Sequence, residues 1–295
     1  MKAIMFGGQG SQKIGMGKTF FDKYDYVREI YEKASEVCGF DVPKMCFEEN
    51  DKLNSTRYAQ PCLYTTNYAM GMVLEKEYNT FADYYLGLSL GEYNAFLEAA
   101  AFSFEDGLKL IKRRGEIMEE AFLDGNYGMA AVLNLEYSEL LSRVKAEEGE
   151  LYIANNNTKG QIVVSGSMDM IDSFIEKLKA DKIKAIKLNV SGAFHSPLLN
   201  NASSKLALEF DNITLNTVNK KVVSNLTGKI ETNVKETLVK QLTNEVKFCD
   251  SIEFLINEGV DTFIEVGVGK TLSGFVKKIN KDVTILNIEE MEANG

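Results

Sequence analysis

Gly87-Leu88-Ser89-Leu90-Gly91 and the only histidine, His195, are the residues whose types and spacing can do chemistry. A Gly-x-Ser-x-Gly run marks a sharp strand-to-helix turn that exposes a serine hydroxyl at the end of a parallel strand. That hydroxyl is a weak nucleophile until a base takes its proton. One imidazole is available for the task, so an activated Ser89 implies His195 as its base, and acyl transfer through a serine ester is the chemistry the pair supports. A lipase or an esterase would carry the same pair. Taken singly, each half is ordinary: five-residue patterns recur by chance, and a lone histidine is usually a surface residue or a satisfied core group. The surroundings sharpen both. Apolar Tyr84-Tyr85-Leu86 stands before the turn and a helix-forming run from Glu92 follows it. His195 lies in Ser191-Gly192-Ala193-Phe194-His195-Ser196-Pro197, with small residues before it and a helix-starting proline after it. This predicts a loop at a strand end, where α/β folds collect ligands.

The elements that must position these residues alternate. Lys2–Phe6 reads as a short buried strand running into Gly7-Gly8-Gln9-Gly10, where backbone N–H groups can approach a ligand closely. Helices are expected at 19–39, 61–78, 92–101 and 104–122, and with three prolines in the chain they run largely unbroken. From Gly128 the pattern becomes strand 129–135, helix 138–147, strands 151–155 and 161–165 across an asparagine-rich turn, helix 168–180 and strand 185–190. That β-α-β-β-α-β order is the ferredoxin-like signature. Helices at 197–210, 234–244, 249–258 and 271–279 then alternate with strands at 221–224, 261–265 and 283–287. The expected architecture is an α/β core of residues 1–125 and 192–295 with an α+β subdomain inserted at 126–191.

Composition narrows the function classes. A chain of 295 residues with 45% hydrophobic content builds a large core, in one large domain or two smaller ones. The apolar N-terminal run stops at Gly7, short of a signal-peptide core, and no apolar stretch is long enough to span a bilayer. Cys38, Cys46, Cys62 and Cys249 form no Cys-x-x-Cys pair, read as free thiols, and with one histidine argue against zinc. The cytoplasm is the default compartment, and a monomer without a membrane partner is expected. A net charge of −10 disfavours nucleic-acid binding, which needs clustered Lys and Arg. Nucleotide loops fail at their required glycines: Gln12 and Ile264 stand where Gly17-Lys18-Thr19 and Gly269-Lys270-Thr271 would need them, and Lys13 replaces the third glycine of a dinucleotide fingerprint.

Arg113-Arg114-Gly115 lies in a helix that also carries Glu116, Glu119 and Glu120, so helix geometry alone favours two solvated arginines. One guanidinium turned inward would instead offer a planar fork of donors for a carboxylate.

Gln9-Gly10-Ser11-Gln12, Gly87–Tyr93, Arg113-Arg114-Gly115, Gly192–Ser196 and Glu265-Val266-Gly267 with Gly269-Lys270 follow one another in an order and spacing that resembles the malonyl-CoA:acyl-carrier-protein transacylases. The chain is also similar to the discrete acyltransferases that load polyketide carrier domains. The resemblance reaches to about residue 280 and implies an α/β-hydrolase-like parallel-sheet core with a ferredoxin-like insertion. It implies malonyl transfer from coenzyme A to the phosphopantetheine thiol of acyl carrier protein, in fatty-acid synthesis, without a cofactor. By it Ser89 matches the nucleophile, His195 the general base, the N–H groups of Gln9 and Leu90 the oxyanion hole, and Arg114 the clamp on the malonyl carboxylate. Gln241 matches a glutamine that helps hold the histidine. Leu90 and Phe194 match the malonyl rather than the methylmalonyl type, Phe194 crowding an extra α-methyl. Carrier protein is acidic, so Lys182, Lys184, Lys187, Lys277 and Lys278 are candidates for a basic docking patch.

Two positions depart from the family pattern, which has histidine at Leu88 and proline at Gly8. The first puts the hydrogen bonding of the turn in question and implies a slower serine; the second is expected to loosen the strand end beside Gln9. A trans-acting polyketide acyltransferase, a carrier-protein thioester hydrolase and an inactive docking module are the alternatives. Arg114 argues against the hydrolase, and intact Ser89 and His195 argue against the inactive module.

Overall fold

The structure is a computed structural model that describes residues 1–123, 125–190 and 192–294. Ser191, in the predicted histidine loop and at the predicted end of the insertion, lies outside the described residues. The chain opens with β1 (Lys2–Phe6), α1 (Lys18–Lys23), α2 (Asp25–Cys38), α3 (Val42–Phe47), α4 (Thr56–Lys76), β2 (Tyr84–Gly87), α5 (Gly91–Glu98) and α6 (Phe104–Glu120). Next come β3 (Tyr127–Leu133), α7 (Tyr137–Lys145), β4 (Leu151–Thr158), β5 (Gln161–Ser167), α8 (Met168–Ala180) and β6 (Lys184–Lys187). It closes with α9 (Asn200–Glu209), β7 (Lys221–Val222), α10 (Val234–Gln241), α11 (Phe248–Asn257), β8 (Thr262–Val266), α12 (Thr271–Ile279), β9 (Thr284–Asn287) and α13 (Ile288–Asn294).

Strand side chains alternate between faces, and here both faces are covered. On β1 and β2, Ile4, Phe6 and Tyr85 pack with the helical layer of α2, α4 and α6, whereas Ala3, Met5, Tyr84 and Leu86 pack against Phe248, Ile252 and Leu272 of α11 and α12. Double burial is the condition for a parallel sheet. The sheet runs β7-β2-β1-β8-β9, parallel throughout. The ends of β2, β1 and β8 therefore lie side by side, and each feeds a short loop.

The second sheet is antiparallel in the order β4-β5-β3-β6, the ferredoxin-like arrangement. Its Ala130, Val132, Ile162 and Val164 pack on Leu140 of α7 and Phe174 of α8. The other face, with Met129, Ala131 and Val163, looks into a cleft shared with the first sheet. Backbone bonds between Val246, in the segment joining α10 to α11, and the strand at Ala154 and Asn156, 2.8 and 2.9 Å, tie β4 to the first layer.

Several boundaries differ from the sequence expectation. The helix expected at 19–39 breaks at Tyr24, whose φ of −119° and ψ of 121° are extended. The helix expected from Pro61 begins at Thr56 and contains the proline; the packing of Gln60, Pro61, Cys62 and Leu63, none of them exposed, outweighs the lost backbone bond. The predicted asparagine-rich turn is strand instead: β4 continues through Asn155-Asn156-Asn157-Thr158, all buried, with a bulge after Ile153. Strand 185–190 ends at Lys187, and the helix expected from Pro197 begins as a 3-10 turn. Short helices α3 and α13 were not anticipated. Among the described residues no helix is long and apolar enough to cross a membrane, and no group of three or more His, Cys, Asp or Glu is placed to hold a metal ion.

Candidate active site

The serine turn is forced by close packing. A Cβ on Gly87 would sit 1.9 Å from the Gly91 carbonyl carbon, and one on Gly91 would sit 2.1 Å from the Phe6 carbonyl oxygen. Side chains at either position would push α5 away from the sheet. Between them Ser89 takes a φ of 52°, a left-handed conformation that costs a non-glycine residue about 1–3 kcal/mol. His195 has a φ of 55°, so both members of the pair are held in uncommon backbone states by their surroundings.

Asn225, in the loop after β7, secures the turn. Its Oδ1 accepts the Ser89 N–H at 2.7 Å and its Nδ2 donates to the Gly87 carbonyl at 2.6 Å. With the Ser89 N–H occupied, the N–H groups of Gln9 and Leu90 remain, and neither is bonded to a protein acceptor among the described residues. The Gln9 side chain is braced by α4: its Nε2 donates to Thr56 at 3.1 Å and its Oε1 accepts from Gln60 at 3.2 Å.

Ser89 Oγ and His195 Nε2 are 2.8 Å apart. His195 Nδ1 lies 3.0 Å from the Gln241 main-chain carbonyl. A carbonyl can only accept, so Nδ1 carries the proton of the neutral ring and Nε2 offers its lone pair to the serine hydroxyl. Burial, and then the charge of Arg114, push the imidazole down to about 4. The ring is neutral and able to accept a proton throughout the physiological range.

Arg114 is turned inward and 1% exposed, whereas its neighbour Arg113 pairs with Glu116 and Glu209 near the surface. The Arg114 guanidinium donates to Gln60 Oε1 at 2.9 Å, to Ser89 Oγ at 3.1 Å and to Gln241 Oε1 at 3.1 Å. Its Nε has no partner among the described residues. All three acceptors are neutral, so the site holds a desolvated cation directly beside the serine with no carboxylate bonded to it. Burial holds this guanidinium below its ordinary range.

A cleft of about 630 Å³ opens between the sheets, walled by Gly8, Gln9, Leu88, Ser89, Phe194 and His195 on one side and Asn155, Asn157, Gln161 and Val163 on the other. It has the size of a small-molecule site. Arg114, Leu90 and Gln241 stand behind this wall rather than in it.

A family model for the acyl transferase domain matches residues 4–291. The chain belongs to the acyl transferase family. The malonyl CoA-acyl carrier protein transacylase of Staphylococcus aureus (strain MSSA476) is 39% identical over 298 residues, which cover 98% of this chain and 96% of that relative. The crystal structure of the malonyl CoA-acyl carrier protein transacylase from Clostridium perfringens Atcc 13124 is similar with a TM-score of 0.94 at 40% identity, over 99% of this chain and 96% of that one. A malonyl-transacylase solved in complex with its type II PKS acyl-carrier protein is similar with a TM-score of 0.93 at 28% identity, over 100% and 99% of the two chains.

In this acyl transferase the residues singled out from sequence converge, with three refinements. Gln241 holds His195 through its backbone, while its side chain serves Arg114, the Ser89 carbonyl and Glu92. The Leu90 side chain is buried in the core, so only its N–H faces the chemistry. The two departures from the family pattern touch each other. Leu88 keeps the hydrogen bonds of the turn through its backbone, donating to Phe6 and accepting from Gly91, both at 3.0 Å. Gly8 is no loosened end: a Cβ there would stand 2.3 Å from the Leu88 carbonyl oxygen. Gln60, Glu92 and Asn225 were missed. Each is a fully buried polar residue bonded to others of the site, but in a single sequence Glu92 reads only as an acidic first-turn residue of its helix, and Asn225 as a turn former.

Proposed function

We propose that this protein transfers a malonyl group from coenzyme A to the phosphopantetheine thiol of acyl carrier protein through an ester on Ser89. The observation that carries this reading is the double contact on Ser89 Oγ, with the His195 imidazole at 2.8 Å and the Arg114 guanidinium at 3.1 Å. Base, nucleophile and carboxylate receptor meet at one atom.

His195 Nε2 takes the serine proton as Oγ attacks the thioester carbonyl, and the N–H groups of Gln9 and Leu90 receive the oxyanion. Losing one such donor typically costs about 2.7–4 kcal/mol of transition-state stabilisation. As the tetrahedral adduct collapses, the imidazolium returns its proton to the departing coenzyme A thiolate. The carrier thiol then gives a proton to the same nitrogen, attacks the ester, and Ser89 leaves with that proton. Malonyl-CoA and the phosphopantetheine thiol of the carrier are the substrates, and the chain needs no cofactor for these steps. Arg114 swings from its neutral acceptors to the malonyl carboxylate, and Phe194, packed against Phe122 at 6.0 Å between ring centroids, narrows the space for an α-methyl. Such a methyl is worth about 1–3 kcal/mol, a preference rather than a barrier.

We assign residues 1–125 and 192–295 to the catalytic domain and 126–191 to the insertion, in keeping with the two sheets. Carrier protein meets the mouth of the cleft. Lys278 lies there, donating to Gln161 Oε1 at 3.2 Å, whereas Lys187 is committed to Asp172. The likeness to a transacylase bound to a type II PKS carrier favours a second reading at the level of the partner: a polyketide carrier in place of the fatty-acid one. Intact-mass measurement after mixing with malonyl-CoA tests the activity. A malonyl adduct that disappears in Ser89→Ala is expected; an adduct that survives this substitution, or none in the native protein, would refute the reading.

A further inference from the structure

Glu92 is a buried carboxylate to which acyl transfer assigns no part. It is 0% exposed, one residue past the second turn glycine, and its carboxylate is a hub. Oε2 accepts from the Gln241 side chain at 2.5 Å and Oε1 from the Asn225 N–H at 3.1 Å. Gln241 reaches Arg114 with its side chain and His195 with its carbonyl; Asn225 reaches the Ser89 N–H. One carboxylate thus lies a single residue away from the nucleophile, the base and the guanidinium.

A desolvated cation requires a counter-charge nearby, and Arg114 donates only to neutral oxygens, with the Tyr93 ring centroid 5.5 Å from it. Burial lowers the guanidinium; Tyr93 and then Glu92 oppose this, and Glu92 is the carboxylate of the two, with Gln241 bonded to both it and Arg114. The charged and titratable groups facing Glu92 are Arg114 from α6 and Tyr93 on its own helix, with His195 beyond Gln241; Ser224, Asn225 and Gln241 are neutral. We propose that Glu92 is the counter-charge of Arg114 in the unloaded enzyme and takes up a proton from solvent when the carboxylate of the acyl group assumes that part. The inference rests on the malonyl reading above. It makes Glu92 a positioning residue that never touches substrate.

The electrostatics run in this direction. Burial pushes the Glu92 carboxyl up to about 7, and the hydrogen bonds from Ser224, Gln241 and Asn225 together with the Arg114 charge keep it from rising further. An acyl carboxylate seated on Arg114 cancels the one favourable charge and adds a like charge close by. Both effects favour the protonated form. Linkage then requires the converse: ionising Glu92 weakens binding of a carboxylated acyl group and leaves an uncharged one unaffected.

Single-turnover loading of the full chain in weak buffer with a pH indicator reads this directly. At pH 7, malonyl-CoA is expected to draw about half a proton per enzyme beyond what acetyl-CoA draws. KM for malonyl-CoA is expected to rise about tenfold from pH 6 to pH 8, with kcat following a different profile. In Glu92→Gln both effects vanish, and acetyl-CoA shows neither in either protein. Equal proton uptake with the two donors overturns the proposal, as does a Glu92→Gln variant that keeps the native malonyl pH profile. The uptake measurement on the native chain decides the matter even if the variant does not fold. A Ser89 adduct without proton uptake sinks this inference alone, whereas absence of any adduct removes the parent reading with it.

Discussion

Replacing Arg114 by alanine separates the carboxylate receptor from the rest of the machine. In the native site the guanidinium is 1% exposed and 3.1 Å from the nucleophile oxygen, so an acyl carboxylate placed against it is desolvated on arrival. Without the arginine that carboxylate has a buried seat and no cation, a loss of about 3–5 kcal/mol, or roughly 10²- to 10⁴-fold in kcat/KM for malonyl-CoA. The variant also strips a donor from Gln60 and Gln241, at about 1–3 kcal/mol for each oxygen left unsatisfied. That second cost falls on every acyl group alike, so the informative number is the ratio of kcat/KM for malonyl-CoA to that for acetyl-CoA. Removing the Arg114 charge also relieves one of the two influences that push His195 down, a change that again acts on every acyl group alike and leaves the ratio untouched. The malonyl preference is expected to fall by about 10² or more, measured with both thioesters at fixed carrier concentration. A ratio within about threefold of the native one would show that the guanidinium does not receive the carboxylate.

Asn225→Ala removes two bonds that span the serine turn; we expect a stability loss of about 2–4 kcal/mol in denaturant melts and a loading rate reduced with both acyl donors. A rate effect confined to one donor would contradict a purely positional role. Charge reversal at Lys277 and Lys278 should raise KM for carrier protein and leave coenzyme A exchange unchanged; equal effects on the two acceptors would remove this patch from docking. The pH dependence of stability has two opposed contributions. His195 folds with its value lowered from 6.5 to about 4, so its contribution is present above pH 6.5 and is lost as pH falls towards 4. Glu92 is raised from 4.5 to about 7, so its contribution is present below pH 4.5 and is lost as pH rises to 7. Between pH 4.5 and 6.5 the two nearly cancel. Glu92→Gln should therefore lose stability on acidification more steeply than the native chain, by about 1.4 kcal/mol per pH unit; parallel thermal-melt curves would refute this.

What could be read in the sequence was whatever is written in contiguous residues. The turn Gly87–Gly91 was legible because its geometry leaves no room for a side chain at either glycine. The ferredoxin-like order was legible from periodicity, and the inward arginine could be told from its outward neighbour only by resemblance. The role of Gln241 was half legible. A residue type points to its side chain, whereas the bond to His195 comes from a peptide carbonyl that any residue would supply. The asparagines of β4 were misread because Asn is a turn former by local propensity, and here the interior of the cleft outweighs propensity. Asn225 and Glu92 stayed hidden because their meaning lies in partners more than 130 residues away along the chain.

The bond between His195 and the Gln241 backbone bears on how such an enzyme changes over generations. The acceptor that orients the base is not encoded by any side chain, so no point substitution at position 241 deletes it. The same residue's amide, by contrast, reaches Arg114, Glu92 and the Ser89 carbonyl and is open to change by mutation. Substitutions of that amide therefore act on Arg114, Glu92 and the Ser89 carbonyl, while the acceptor that orients the base persists. One residue thus carries a bond that every amino acid preserves beside bonds that only its own side chain can make.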